Sequence, residues 1–490
     1  MDQPSPPVVS PKDDAEKQPT LGLIGMGAMG KMYANLLSKA AWKKIHVCDL
    51  PEKYESLKNQ FADVPGVNVM KDGHAVARSA DFMIYSVEAE FIDRVVAEYG
   101  PSTKLNAIVA GQTSVKAPEK DAFEKYLPPD TQIISCHSLH GPTVSPLGQP
   151  LVLIKHRGTD HALHVVEDIL RSFGSRYVYL SYEEHDLVTA NTQAVTHAAF
   201  LSMGAAWACE QSYPWEHGLY VGGMETVKVN LTLRIYSNAW HVYAGLAILN
   251  PKAREQINQY ATSATELYKL MVVAGTGRSG NGDAERERKL RQRVDWARET
   301  VFGDSPKNRN PILLSQDILD RFSLGQLPVN NGKDNGGDSA SRYRPNSHLS
   351  LLAMVDCWAH LGIKPFDHLQ LAATPLFRLF LGVAEHLFLS PLLLDSAIHS
   401  AIYDTWHRSN DLEFVLAARG WSQCVNYGSF EVYRKRFDET RSFFESRFEE
   451  AGVLGSKMIK AVMESELKRE ESQETQRRLR PAELHTLFHR

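Results

Sequence analysis

The chain has 490 residues, of which 43% are hydrophobic, and a formal net charge of −4. The length suggests about two to four domains with substantial cores, and the acidic balance disfavours nucleic-acid and membrane-surface proteins, which need a basic excess. The five cysteines include no C-x-x-C pair, which is typical of reduced thiols in a cytoplasmic protein and not of a disulfide frame or a zinc site. We therefore expect a cytoplasmic protein with no metal site.

The two ends of the chain differ in composition from its middle. Residues 1–19 are rich in proline and charge and lack an apolar or Arg-rich targeting pattern, so we expect a disordered tail. Residues 464–490 are rich in Glu, Arg, Lys and Gln, which predicts an exposed or disordered charged tail. The apolar stretch 374–394 contains Arg378, Glu385 and His386 and does not predict a membrane span.

A glycine-rich turn follows the first predicted strand, which begins at Leu21. Gly25-Met26-Gly27-Ala28-Met29-Gly30 has the spacing G-x-G-x-x-G. The first glycine allows the sharp turn, the second lets a pyrophosphate approach the backbone, and the third lets helix and strand pack closely. Asp49 ends the next strand about twenty residues on, where an acid would bind a ribose 2′-hydroxyl. The pattern predicts a dinucleotide site, and the alternative is a plain strand–turn–helix connection.

Residues 20–182 alternate apolar strands with helical segments, which predicts a parallel sheet with crossover helices. Further strands are predicted at 81–87, 107–111, 132–137, 151–154 and 177–180. Ligands of such sheets bind beyond the carboxyl ends of the strands. Ser86, Ser114 and His137 lie at or just after three of those ends, so we expect them at the site.

His137 is the candidate base. A histidine at the end of a strand can take a proton from a hydroxyl whose carbon gives up a hydride, and its ordinary pKa of about 6.5 suits that task. Ser114 would share a hydrogen bond with the same hydroxyl, and His140 is a weaker candidate. The alternatives are a surface or capping histidine and an ordinary turn serine.

Residues 183–463 show helical periodicity. Helices are predicted at 186–210, 224–249, 251–273, 283–298, 346–361, 375–389 and 392–403. Many are apolar on more than one face, which predicts burial against several neighbours and homodimerisation through this domain. The glycine-rich stretches 275–282 and 325–346 are predicted to be mobile surface loops. His185, Gln193 and His197 on the first helix face either a cleft or a buried polar network.

Several motifs together resemble prephenate dehydrogenase, most closely the fungal form. They are the glycine turn, Ser114-Val115-Lys116, Cys136 through Pro142, and Glu184 through His197. Arg234 through Asn238 and Thr374 through Arg378 extend the resemblance, which covers roughly residues 21–463. The fold class is thus α/β then all-α: a Rossmann-like doubly wound sheet followed by a helical substrate and dimerisation domain.

The resemblance implies oxidative decarboxylation of prephenate to 4-hydroxyphenylpyruvate in tyrosine biosynthesis, with NADP as cofactor. It implies that His137 is the base or polarising group, that Ser114 shares its hydrogen bond, and that His185 and His197 line the substrate pocket. The substrate dianion needs a cationic anchor, ideally a bidentate arginine. The candidates, in order, are Arg378 and Arg234, while His386 stands where some bacterial relatives would carry another arginine.

Cofactor choice divides the residues. Asp49 would repel a 2′-phosphate and favours NAD, whereas Lys53 and Lys31 would offset it. We follow the resemblance and expect NADP, with NAD left open.

Three other functions stay open. An arogenate dehydrogenase would use the same chemistry on an amino-acid side chain. A 3-hydroxyacid dehydrogenase would share the opening at residues 22–30, but residues 192–197 offer no helix lysine. A non-catalytic nucleotide sensor would not need His137.

Overall fold

The computed structural model describes residues 8–142, 144–276, 281–303, 311–326, 346–369 and 374–479. The chain divides into two compact units. The first comprises Met1–Thr192, His241–Ala253 and His368–Thr374, and the second comprises Gln193–Trp240, Arg254–Asp367 and Pro375–Arg490.

The first unit ends later than the predicted boundary at residue 182. The Asp186 carboxylate accepts N–H bonds from Lys116 and Ala117, and the Asn250 amide donates to the Asp186 carbonyl at 2.8 Å. These bonds attach the helix that begins at Tyr182 to the sheet domain.

The first unit contains one eight-stranded sheet in the order β3-β2-β1-β4-β5-β6-β7-β8. The strands are β1 Leu21–Ile24, β2 Ile45–Cys48, β3 Val67–Val69, β4 Phe82–Tyr85, β5 Ile108–Gly111, β6 Gln132–Ser138, β7 Pro150–Arg157 and β8 Arg176–Tyr179. Its helices are α1 Ala28–Lys39, α2 Tyr54–Gln60, α3 Gly73–Ser79, α4 Ile92–Tyr99, α5 Ala117–Tyr126, α6 Asp160–Leu170, α7 Tyr182–Thr189 and, later in the chain, α10 His241–Leu249. The order is that of a Rossmann-like sheet, as predicted.

The sheet departs from the prediction at β7, which runs antiparallel to β6, with His137 opposite Val152. We expected only parallel pairs joined by crossover helices. The described residues between 139 and 149 form no helix and include two glycines and two prolines, so the chain returns directly instead of crossing over. The short strand β3 was not predicted either.

Apolar side chains cover both faces of the sheet, as expected for strands buried between helix layers. Leu23, Val47 and Ile84 pack on one face with α1 and α6. Met83 and Val109 pack on the other with α3, α4, α5 and α7. Each fully buried large side chain stabilises the fold by roughly 1.5–3 kcal/mol, so the sheet is a rigid support for residues at its carboxyl edge.

The second unit is helical, as predicted. Its helices are α8 Val195–Cys209, α9 Gly223–Ser237, α11 Pro251–Gly275, α12 Asn281–Phe302, α13 Gln316–Asp320, α14 Leu349–Leu361, α15 Pro375–Phe388, α16 Pro391–Tyr403, α17 Arg408–Tyr427, α18 Phe430–Phe444 and α19 Phe448–Leu479, with α11 beginning in the first unit. No single described helix is long and apolar enough to cross a membrane, although α15 and α16 together meet that test as a pair bent by 88°.

Two predicted helices are interrupted. The one expected at 224–249 is α9 and α10, because the chain turns extended at Asn238. The one expected at 186–210 begins earlier, at a capping box formed by Ser181 and Glu184, and contains a π-helical segment, Ala190–Ala194. A π segment shifts the faces of a helix and often lies at a functional site.

The expectation of a disordered N-terminal tail is wrong for residues 8–19. Gln18 is buried, its amide donates to the carbonyls of Pro11 and Asp13, and its oxygen accepts the Lys43 N–H. These bonds fold the segment back on itself and tie it to the sheet domain. After residue 463 the backbone stays helical to Leu479. Residues 1–7 and 480–490, and most of the two predicted loops (277–280 and 327–345), lie outside the described residues.

Candidate active site

The glycine turn has the three features that its spacing predicted. Gly25 has φ +98°, and a Cβ there would lie 2.4 Å from the Ser86 carbonyl oxygen. A Cβ on Gly30 would lie 2.1 Å from the Gly25 carbonyl oxygen, whereas one on Gly27 would meet nothing within 4 Å. No side chain caps the N-terminus of α1. The turn therefore offers open space and free main-chain donors, which fits a dinucleotide pyrophosphate.

The Asp49 carboxylate is already hydrogen-bonded within the protein. Its Oδ2 accepts the Met26 N–H at 3.0 Å, and its Oδ1 accepts the Leu50 N–H at 2.7 Å and the Lys53 ammonium at 3.2 Å. Asp49 thus braces the glycine turn and carries a partner cation. The predicted conflict between this acid and a 2′-phosphate is weaker than the sequence suggested. Ser86 at the end of β4 donates to Gln112 Oε1 at 2.9 Å.

A chain of hydrogen bonds runs from His137 into the protein. His137 Nδ1 lies 2.7 Å from His185 Nε2, and His185 Nδ1 lies 2.9 Å from Asp186 Oδ1. Asp186 in turn accepts the main-chain N–H groups of Lys116 at 2.7 Å and Ala117 at 2.8 Å. We call His137, His185 and Asp186 the histidine relay. His185 was predicted to contact substrate, but its two ring nitrogens are both used within the relay.

The relay defines the tautomers of its histidines. An ionised Asp186 can only accept, so His185 Nδ1 carries the proton and its Nε2 is left as an acceptor. His137 Nδ1 must then donate to it, and His137 Nε2 keeps its lone pair. Among the described residues, His137 Nε2 has no hydrogen-bond partner, and the side chain keeps about 9% exposure. This nitrogen is free to accept a proton.

The charges around the relay keep both rings neutral. Burial, reinforced by His185, Lys116 and His140, holds the pKa of His137 well below its ordinary value. Burial and the Lys116 charge do the same to the pKa of His185. Burial raises the pKa of Asp186, and the two N–H bonds at the start of α5 oppose that rise and stabilise its ionised form.

Ser114 lies three residues beyond the end of β5, partly buried, and makes no hydrogen bond to His137 among the described residues. Its Oγ would lie 3.9 Å from a Cβ added at Gly245 on α10. His140 uses Nδ1 to bond the Gly141 carbonyl at 3.0 Å. Ser114 therefore has a hydroxyl available, while its role toward substrate stays a prediction.

His197, Arg234 and Arg378 belong to the second unit, and all three are partly buried. Burial lowers the pKa of His197 to about 3, so this ring is also uncharged at neutral pH. The roles of these three residues as substrate ligands stay predictions.

Sequence reasoning missed three residues of the site. It treated Asp186 only as a helix cap, and it assigned no role to Lys116 or Glu119, whose side chains form a buried ion pair. The adjacent pair His185-Asp186 was the available signal for the relay. Among the described residues, no group of three or more His, Cys, Asp or Glu side chains could hold a metal ion.

Comparison with known proteins decides the family. A family model for a 6-phosphogluconate dehydrogenase C-terminal domain, in the form found in tyrosine-pathway dehydrogenases, matches residues 194–464. The chain is 50% identical over 446 residues to the probable prephenate dehydrogenase [NADP(+)] of Schizosaccharomyces pombe, covering 91% of this chain and 98% of that protein. The chain belongs to the prephenate dehydrogenase family. The prephenate dehydrogenase [NADP(+)] of Saccharomyces cerevisiae is 49% identical, over 90% of this chain and 94% of that protein.

A solved prephenate dehydrogenase from Aquifex aeolicus, in complex with hydroxyphenyl propionate and NAD+, is 17% identical with a TM-score of 0.43, covering 57% of this chain and 98% of that one. The assignment to the prephenate dehydrogenase family rests on the fungal relatives, which match nearly the whole chain.

Proposed function

We propose that this protein is an NADP-dependent prephenate dehydrogenase of tyrosine biosynthesis, which converts prephenate to 4-hydroxyphenylpyruvate and CO2. The observation that carries the proposal is the free Nε2 of His137 at the end of β6, held as a lone-pair acceptor by His185 and Asp186. It lies at the carboxyl edge of a sheet whose glycine turn fits a dinucleotide. The family membership supplies the substrate class.

The proposed reaction moves one proton out and back. When bound, NADP+ accepts the hydride that leaves the ring carbon bearing the hydroxyl. His137 Nε2 takes the hydroxyl proton as that carbon gains carbonyl character, and Ser114 helps to orient the hydroxyl. Loss of the ring carboxylate as CO2 makes the ring aromatic, and His137 returns the proton to the phenolic oxygen. Because aromatisation drives the reaction, the protein mainly has to orient the substrate and hold this proton.

The residues at the end of β2 support NADP. Asp49 is neutralised by Lys53 and two N–H groups, so it does not present a free carboxylate to a 2′-phosphate. Lys53 keeps about half of its side chain exposed and would lie on the phosphate side of the ribose. The names of both fungal relatives specify NADP(+).

The test is the formation of reduced cofactor by purified protein with prephenate and either NADP+ or NAD+, with 4-hydroxyphenylpyruvate identified as the product. Arogenate replaces prephenate in a parallel reaction. We expect turnover with prephenate and NADP+. Turnover with arogenate alone would replace the substrate, and no turnover in protein that binds the cofactor would overturn the proposal.

We also propose a cytoplasmic homodimer formed through the helical unit. Several large apolar side chains on its helices are exposed, more than a soluble monomer usually leaves open. They are Val273, Leu389, Leu392, Tyr403, Trp406 and Leu416. Sedimentation equilibrium should give twice the chain mass, and a monomer at every concentration would contradict it. Imaging a tagged chain tests the location.

A further inference from the structure

The ion pair between Lys116 and Glu119 is fully buried. Both side chains have 0% exposure, and Lys116 Nζ lies 2.8 Å from Glu119 Oε2. Removing two charges from water is costly, and a buried pair is tolerated only when every polar atom finds a partner. The mechanism described above does not use this pair, so its presence at the edge of the sheet needs a separate explanation.

The Lys116 ammonium lies where two strands separate. β5 and β6 pair only at Ile108–Gln132 and Val109–Ile133. Beyond that point Lys116 Nζ donates to the carbonyl of Gly111, the last residue of β5, and to the carbonyl of Cys136 on β6, both at 3.0 Å. It thus supplies the donor that the interrupted strand pairing no longer provides. Cys136 is the residue immediately before His137.

Glu119 completes the bridge and holds the residues beside it. Its carboxylate accepts the hydroxyl of Ser135, and the hydroxyl of Thr113 at 2.6 Å. A Cβ on Gly111 would lie 2.1 Å from Glu119 Oε2, so the carboxylate occupies the space that only glycine leaves free. Thr113 immediately precedes Ser114, so the pair contacts the chain next to both candidate catalytic residues.

The main chain of Lys116 contacts the same machinery from the other side. Its N–H donates to Asp186 Oδ1 at 2.7 Å, the oxygen that also accepts from His185. One residue therefore joins the strand end that carries His137 to the carboxylate that orients the relay.

We propose that Lys116 is a positioning residue for His137: through Gly111, Cys136 and Asp186 it holds the base at a set distance from Ser114 and in a set orientation. The inference rests on the proposed function in taking His137 as the base. Its ammonium has a second effect, because a nearby positive charge disfavours protonation of His137 and His185. The other titratable groups that face His137 are His140 and, through His185, Asp186.

Lys116→Met alone would leave Glu119 as a buried unpaired charge, so the test variant is the double substitution Lys116→Met with Glu119→Gln. It removes both charges at similar volume. The control is Lys120→Met on the same helix, which removes a partly exposed ion pair with Glu183. Each protein is assayed for kcat and KM with prephenate, for Kd of NADP+ by calorimetry, for thermal stability, and for the pH dependence of kcat/KM.

We expect the double variant to lose about 100-fold in kcat, the usual result of a small misplacement of a reacting group, while KM and the Kd of NADP+ change by less than about threefold. The acid limb of kcat/KM should move to higher pH, because His137 is more easily protonated without the ammonium. The control should match the wild type. A wild-type kcat and acid limb in the double variant would overturn the proposal. So would a failure to fold, or a loss of NADP+ affinity as large as the loss of kcat, since both indicate general support of the sheet.

A wild type and control that bind NADP+ but do not oxidise prephenate would refute the proposed function instead. The positioning role is then decided by the NMR titration of the His137 ring, assigned with His137→Asn. A higher pKa in the double variant than in the wild type supports the role, and an unchanged pKa overturns it.

Discussion

The Nε2 atom of His185 lies 2.7 Å from the Nδ1 atom of His137, and both rings are buried. Two neutral imidazoles at this distance must share one proton, with one nitrogen donating and the other accepting. Asp186 on the far side of His185 decides which nitrogen donates, and so leaves the lone pair on the outer nitrogen of His137.

Replacing Asp186 with Asn should therefore reverse the relay. The Asn amide can donate to His185 Nδ1, which puts the proton on His185 Nε2 and then on the outer nitrogen of His137. That nitrogen could no longer accept the substrate proton. We expect kcat to fall by about 10²- to 10⁴-fold, the range seen when a buried orienting carboxylate is made an amide.

The control for this loss is the affinity for NADP+, which should change by less than about twofold because the glycine turn makes no contact with Asp186. An Asp186→Asn protein with more than a tenth of the wild-type kcat would show that the tautomer is not decided by this carboxylate.

The glycine turn makes a second prediction. Gly27→Ala adds a methyl group into open space, so folding should be unaffected, but the methyl would occupy the approach of the pyrophosphate and weaken NADP+ binding by at least about tenfold. Gly30→Ala drives a methyl against the Gly25 carbonyl and should lower the melting temperature. Calorimetry and thermal unfolding of the two variants separate these effects. Equal NADP+ affinity in Gly27→Ala and wild type would rule out this placement of the pyrophosphate.

Lys53 should carry part of the preference for NADP. Removing it in Lys53→Ala should raise the Kd of NADP+ by about five- to tenfold, the value of one exposed contact between a cation and a phosphate, and leave the Kd of NAD+ within about twofold. Lys104→Ala is the matched control, since it removes an exposed ion pair with Asp81 beside the amino end of β4. Equal changes in both affinities would assign the 2′-phosphate to another residue.

The stability of the fold should fall in mild acid. Burial lowers the pKa of His197 to about 3, whereas the unfolded chain binds that proton near pH 6.5. The contribution is complete above pH 6.5 and is lost as the pH falls toward 3. His197→Gln should therefore lose about 2 kcal/mol less than wild type between about pH 6.5 and pH 5 in denaturant unfolding. The exposed His161→Gln should keep the wild-type slope, and an identical slope in His197→Gln would contradict the burial of a neutral ring.

Local patterns predicted the parts of the fold that are local. The glycine turn, the strand ends at Ser86 and His137, and the helical second unit all follow from the spacing of apolar residues and glycines. The reversal of β7 did not, because nothing in residues 150–157 distinguishes a parallel strand from an antiparallel one. Its direction depends on the missing crossover helix.

The site was predicted only in outline, for a related reason. Lys116 and Glu119 are three apart at the start of a helix, a spacing usually found on solvated surfaces. Their burial follows from the separation of β5 and β6, which is a property of the sheet. The bond from His137 to His185 joins residues 48 positions apart, and no local pattern encodes it.

The role of His137 as the base is tested most directly by the kcat of His137→Asn with prephenate and NADP+, measured together with the Kd of NADP+. Asparagine is similar in size but offers no basic nitrogen, so we expect kcat to fall by about 10³-fold or more with the Kd within about twofold. A variant that keeps kcat within about tenfold of wild type would show that another group takes the proton and that the relay is structural.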